Sequence, residues 1–178
     1  MKIILWLLFI VLVIITGQEA HIIQVNAGDQ ATLLHLEFTD FAAGKKILDC
    51  WRGITYGEGT LLSLAQSNTR TDFLFLITYT LLLISYSNSQ MQQERNPALN
   101  NLLRLNLFLA VLAGLCDVSE NLILLYDMRH AGEITRYVSS SWVSIAKWLL
   151  IGWVILIWLI SLIRCRVMRE KRTCYVSV

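Results

Sequence analysis

The sequence places ionisable side chains where an apolar chain is expected to carry none. The stretch from Leu105 to Tyr126 is apolar except for Asn106 near its start and the interruption Asp117, Ser119, Glu120 and Asn121. The stretch from Trp142 to Ile163 holds a single cation, Lys147, and Asp72 stands immediately before a third stretch, Phe73 to Ser87. Charges inside membrane-length segments are costly, so they face a bundle interior and find partners there. Three chemistries fit these residue types. Lys147 can close a structural ion pair with Asp117 or Glu120, with Asn121 satisfying the remaining lone pairs. Asp117 and Glu120, three residues apart on one helix, can hold one ion or work as an acid–base pair. Three carboxylates facing one ammonium also leave an imbalance. Either one carboxyl stays protonated through burial and like charge, or a proton, a metal ion or an amine-bearing ligand completes the site.

Helices must bring these groups together. At about 100° per residue, Asn106, Ala110, Ala113, Asp117, Glu120 and Asn121 form one small, polar stripe, which belongs against other helices and not against lipid. Ser144, Lys147, Trp158 and Ser161 share a stripe on the last segment, and Asp72, Tyr79, Tyr86 and Gln90 share one on the segment after Asp72. At ~1.5 Å rise per residue, Glu120 lies roughly 9 Å and Lys147 roughly 8 Å from the same end of their helices. Asp72 sits at the mouth of its own. The predicted ligand site is therefore Asp72, Asp117, Glu120, Asn121 and Lys147, with Glu37, Asp40, Tyr79 and Trp51 as secondary candidates.

Other chemistry is less well equipped. His35 lies beside Glu37 and Asp40, but a histidine among acids on a surface is ordinarily solvated. Trp148, Trp153 and Trp158 point in different directions on a helix, which suits packing or lipid contact and no aromatic cage. No P-loop, GxSxG, HExxH, CxxCH or Rossmann glycine pattern occurs, so no cofactor is expected. Cys50, Cys116, Cys165 and Cys174 form no CxxC pair, no spanning segment contains His, and no metal site is expected.

Composition sets the class. Of 178 residues, 56% are hydrophobic and 16% charged, too few charges to cover a soluble surface, where about 25% is usual. The net charge of +2 does not suggest nucleic acid; the bilayer is the expected partner, with a lipidic or cationic small ligand or a protein partner at the polar cluster. A spanning helix needs about 20 mostly apolar residues, and four segments qualify or nearly do: about 3–17, 73–87, 105–126 and 142–163. The first also resembles a secretory signal, but Ile15 at −3 makes a poor cleavage site, and a retained helix is favoured. Arg164, Arg166, Arg169, Lys171 and Arg172 place the C-terminus in the cytoplasm of a plasma (inner) membrane. Counting back, the N-terminus and the Asn88–Asn101 loop with Arg95 are inside, and 18–71 and 127–141, including Arg136, are outside.

The segment 18–71 reads as a small extracytoplasmic cap. Leu34, Leu36 and Phe38 alternate with His35 and Glu37, a strand-like signal. Thr39 or Asp40 can cap a following helix with Phe41, Leu48 and Trp51 on one face. Gly53, Gly57 and Gly59 mark a turn, after which the next helix begins near Thr60. Asn96-Pro97 supplies an N-cap and a first-turn proline.

Leu36-Glu37-Phe38 before a helix ending in Cys50-Trp51, then Asp72-Phe73-Leu74-Phe75 with Tyr79, then Asp117-x-x-Glu120-Asn121 and a lone Lys147 together resemble an uncharacterised group of small four-helix bacterial integral membrane proteins. The likeness covers most of residues 33 to 160 and implies the architecture and the choice of polar positions, with no established activity. The expected fold is all-α: a single membrane domain, a four-transmembrane-helix bundle with a cap. A non-enzymatic binding role at the outer mouth is preferred over an intramembrane enzyme using Asp117 and Glu120, or a small proton-coupled transporter.

Overall fold

A computed structural model of the protein describes residues 2–131 and 138–176, and of these it leaves aside the side chains of Phe41 and of 169–176. Arg136 and the side chains of Phe41, Arg169, Lys171, Arg172 and Cys174 thus lie outside the described set. The described residues form six helices and one two-stranded hairpin. They are α1 (Lys2–Ala27), α2 (Leu33–Phe38), α3 (Phe41–Gly53), β1 (Thr55–Tyr56), β2 (Gly59–Thr60), α4 (Leu61–Gln93), α5 (Pro97–Arg129) and α6 (Ser141–Val176). Three are long and apolar enough to cross a membrane: α1, α5 and the Ser141–Met168 part of α6. The apolar core of α4, Phe73 to Ser87, is shorter than the ~20 residues a span requires.

The long helices pack as a bundle in which α5 lies against both α4 and α6, and α1 lies along α4. The α5 stripe turns inward: Asn106, Ala110, Ala113, Asp117, Glu120 and Asn121 are all buried. Gly114 lets α4 come close, since a Cβ there would stand 2.8 Å from Thr80 Oγ1. Asn106 Nδ2 donates to the Val154 carbonyl of α6 at 3.0 Å. α1 buries only Leu12 and Ile23 and exposes most of its apolar surface, as a helix bordered by lipid would. It meets α4 through both apolar and polar contacts: Phe9 stacks on Phe75 with centroids 5.2 Å apart, and Asn68 Nδ2 donates to Thr16 O at 2.8 Å and to Glu19 Oε2 at 3.1 Å.

Two local expectations are corrected. The first helix does not end at Gly17. A glycine in a helix interior costs about 1 kcal/mol and is not a stop; the stop is Gly28, at φ +89°, whose N–H closes on Gln24 O. Residues 18–27 therefore belong to α1, and the segment that can form the expected cap shrinks to roughly 28–60. The Leu34–Phe38 alternation is no strand either. Thr32 accepts a hydrogen bond from His35 N and starts helix α2, which buries Leu36 and leaves Leu34 and Phe38 exposed. Five residues are too few to separate period 2 from period 3.6.

The cap is docked by an apolar cluster at the end of the bundle where α4 begins. It joins Leu36, Ile47, Leu48 and Trp51 to Ile23 of α1, Leu61 and Ala65 of α4, and Leu124 and Met128 of α5. Asp40 caps α3 by accepting from Ala43 N. The hairpin turns at Gly57, φ +57°, and Thr60 with Ser63 forms a capping box that launches α4. Asn96 and Pro97 open α5 as expected.

Candidate functional site

α4, α5 and α6 bring the five principal candidates together. Lys147 Nζ lies 3.1 Å from Asp117 Oδ1 and 2.7 Å from Glu120 Oε2, and all three residues are buried. The Tyr79 hydroxyl donates to the other Asp117 oxygen at 2.8 Å. Asn121 Nδ2 donates to Asp72 Oδ2 at 2.7 Å. One ammonium thus ties α6 to two successive turns of α5, and α4 joins through a tyrosine and an aspartate. Lys147 also lies 5.4 Å from the ring centre of Trp148.

The cap supplies a further carboxylate. α2 carries Glu37 into the cluster, where it feels Glu120, Lys147 and Asp72. The backbone carbonyl of Glu37 accepts from the Ser140 and Ser144 hydroxyls, each at 3.4 Å, which hold α2 on α6. Burial first, and the negative Glu120 second, push the Glu37 carboxyl up to about 8 against the pull of Lys147. At neutral pH it therefore keeps its proton and can donate it to Glu120, whose Oε1 accepts no hydrogen bond from another described side chain. Four carboxylates, not three, now surround one ammonium.

This predicts a pH effect. The folded carboxyl holds its proton to about pH 8, and the unfolded one releases it near 4.5. The folded state binds the extra proton between those values, so stability falls as pH rises through that window. Melting temperature should drop by a few degrees between roughly pH 5 and pH 8 in detergent, and Glu37→Gln should remove that part of the drop. An unchanged pH profile in the variant would contradict the placement of Glu37.

The remaining secondary candidates serve the fold. Asp40 is exposed and occupied as the α3 cap, and His35 pairs with its own cap residue, Thr32. Trp51 is fully buried, its indole N–H donating to Ala31 O at 2.8 Å. Cys50, Cys116 and Cys165 are free thiols. Among the described residues no set of three or more His, Cys, Asp or Glu side chains is arranged to hold a metal ion.

A cavity of about 870 Å³ opens onto the cluster. Its head is formed by Glu37, Asp72, Asp117, Asn121 and Lys147, under Leu33 and Leu34 of α2. From there it runs between α1 and α6 over α4, past Phe9, Val13, Phe75, Leu82, Trp148, Ile151 and Ile155. Trp6, Tyr86 and Trp158 stand at its far end. Trp148 and Trp158 therefore line this groove, while Trp153 is exposed elsewhere. The groove depends on how α1 and α6 stand apart, and no local pattern announces it.

A second polar knot closes the opposite end of the bundle. Glu94, in the turn between α4 and α5, accepts from Ser161 Oγ at 2.6 Å, Arg164 Nη1 at 3.0 Å and Asn96 N at 2.8 Å, and Gln90 donates to Ser161 at 3.2 Å. Burial pushes the Glu94 carboxyl up, but Ser161, Asn96 and Arg164 outweigh it and hold it below the usual glutamate range. Gln90 and Ser161 stand on the expected stripes. Glu94 is not among the expected polar positions, although an acid between two apolar segments beside Asn96-Pro97 is a signal for it.

No family model, no curated protein and no solved structure matches the chain.

Proposed function

We propose that the chain is a four-span membrane protein, with α1, α4, α5 and the first part of α6 as spans and both termini cytoplasmic, that binds a membrane amphiphile in its groove, head at the charged cluster. α4 supports a fourth span because it lies among three apolar helices of crossing length. Orientation rests on the basic residues: Lys2, whose ammonium reaches Ser89, and Arg164 and Arg166 all lie at the end opposite the cap. The packing of α1 against α4 favours a retained first helix over a cleaved signal. The likeness to a group of small bacterial membrane proteins rests on the motif residues alone.

The observation that carries the binding role is that the cluster is not sealed. A purely structural ion pair would be closed and fully paired. Here an apolar groove leads to Asp72, Asp117 and Lys147, as in ligand sites where apolar walls carry a few convergent polar groups. Acid–base chemistry at Asp117 and Glu120, the rival role, has less support, because Lys147 already holds both carboxylates in ion pairs. Proton-coupled transport finds no comparable support.

Topology is tested with a variant whose native cysteines are replaced. Glu58→Cys should react with an impermeant thiol reagent in intact cells, and a reporter fused after Val178 should be cytoplasmic; labelling of the C-terminus from outside would overturn the orientation. Binding is tested by mass spectrometry of amphiphiles retained through purification. Ile155→Trp fills the groove two helical turns along α6 from Lys147, and should lower retained amphiphile about tenfold, equivalent to about 1.4 kcal/mol, at unchanged melting temperature. Equal retention by both proteins would refute the groove as the site.

A further inference from the structure

The far end of the groove carries information about its occupant. Trp6 of α1 donates its indole N–H to the Tyr86 hydroxyl of α4 at 2.7 Å, and the Tyr86 ring meets Trp158 of α6 edge-on with centroids 5.5 Å apart. Three helices thus place a row of rings across the groove. Beyond it the surroundings turn polar, with the Lys2 ammonium 5.0 Å from the Tyr86 ring centre and bonded to Ser89. The aliphatic space is bounded on that side. From Asp72 to Tyr86, 14 residues along α4 rise ~21 Å. One leaflet offers about 15 Å of hydrocarbon, half of a core about 30 Å thick. The groove therefore matches one extended chain of one leaflet together with its head, and is too short for a bilayer-spanning occupant.

The head end is charge-selective. Beside a Glu37 carboxyl that keeps its proton, Asp72, Asp117 and Glu120 converge on Lys147. The single ammonium cannot neutralise them, and Asn121 offers Asp72 a neutral donor only. Uncompensated carboxylates in a poorly solvated site favour a positive ligand group and repel a negative one. Trp148 lines the mouth beside Lys147 and adds a ring suited to cations.

We propose that the groove takes a single aliphatic chain of a cationic amphiphile drawn from the bilayer, its ammonium at Asp72 and Asp117, and that Trp6, Tyr86 and Trp158 set the longest chain accepted. This rests on the binding role proposed above and adds the ligand's charge and a limit on its length. Phosphate-bearing anionic lipids are disfavoured by the same carboxylates.

The test uses the full chain in a nonionic detergent and two homologous series as probes, n-alkylamines and n-alkyl sulfates, read by native mass spectrometry and by thermal shift. Amines should bind with affinity rising about fourfold per methylene, the burial of one CH₂, up to a cutoff beyond which added carbons bring no gain. Sulfates of equal length should bind at least tenfold more weakly, the loss of roughly one charge-assisted hydrogen bond. Trp6→Ala with Trp158→Ala should move the cutoff to longer amines. Trp6→Leu, which keeps an apolar side chain but loses the bond to Tyr86, should move it the same way by less and serves if the double variant does not fold. Asp72→Asn should weaken amines about tenfold and leave the cutoff unmoved. Sulfates binding as well as amines would overturn the assigned charge. A cutoff unmoved by either ring variant would overturn the length limit while leaving the binding role intact. Failure of both series to bind at any length would remove the binding role itself.

Discussion

Lys147→Met should be among the most damaging single substitutions in this chain. It keeps the length and apolar volume of the side chain but removes the cation held 3.1 Å from Asp117 and 2.7 Å from Glu120. Breaking a buried pair by deleting one partner typically costs 3–5 kcal/mol, because the abandoned charge remains buried. At about 2–4 °C per kcal/mol for a chain of this size, melting in detergent should fall by about 10 °C. The triple variant Asp117→Asn, Glu120→Gln, Lys147→Met leaves no unpaired charge among the three and should recover most of that loss. The two proteins separate structure from function. If the cluster also serves a ligand, the triple variant melts near the parent temperature yet retains less amphiphile. Recovery of both stability and retention would show that the charges serve the fold alone. A triple variant no more stable than the single one would show that the pairing is wrong.

Trp51→Ala should produce a loss of similar size by a different route. Trp51 is fully buried in the cluster that docks the cap, and its indole N–H satisfies Ala31 O. Truncating a buried tryptophan costs about 3–5 kcal/mol, again about 10 °C, and the stranded carbonyl adds to it. The expected damage is local: limited proteolysis should open residues 28–60 while α4 to α6 stay protected. Trp51→Phe, which keeps most of the apolar contact but not the hydrogen bond, should lose clearly less. Since α2 carries Glu37 to the cluster, undocking the cap should also weaken the pH dependence assigned to that residue. Full protection of the cap in Trp51→Ala would contradict the docking core.

Helical periodicity makes most of the cluster legible in the sequence. The rise per residue and the 100° turn are local properties. They suffice to place Asp117, Glu120 and Asn121 on one face and to match their depth to that of Lys147. The cap at Asn96, and that of α3 at Thr39 or Asp40, are legible for the same reason, since each needs only the hydrogen bonds of its own first turn. Glu37 ranks too low by sequence because its segment is six residues long and alternates like a strand. Its role comes from α2 docking on α6 through Ser140 and Ser144, a contact more than a hundred residues away along the chain. Trp51 and Asp40 lie close to Glu37 in sequence but are committed to the cap. The end of α1 is easily misplaced because Gly17 and the polar residues after it look like a boundary, whereas a helix packed along another continues until a residue such as Gly28 turns it. The groove leaves no local signature, since it is a gap between α1 and α6 and not a property of either.

A structure of the protein in native-lipid nanodiscs tests the binding role most directly. Elongated density should run from Asp72 and Asp117 along Phe75, Leu82 and Ile151 to the rings of Trp6 and Trp158, with its head beside the carboxylates. A groove closed by direct packing of α1 on α6, with Asp72 and Asp117 sealed from lipid, would contradict it.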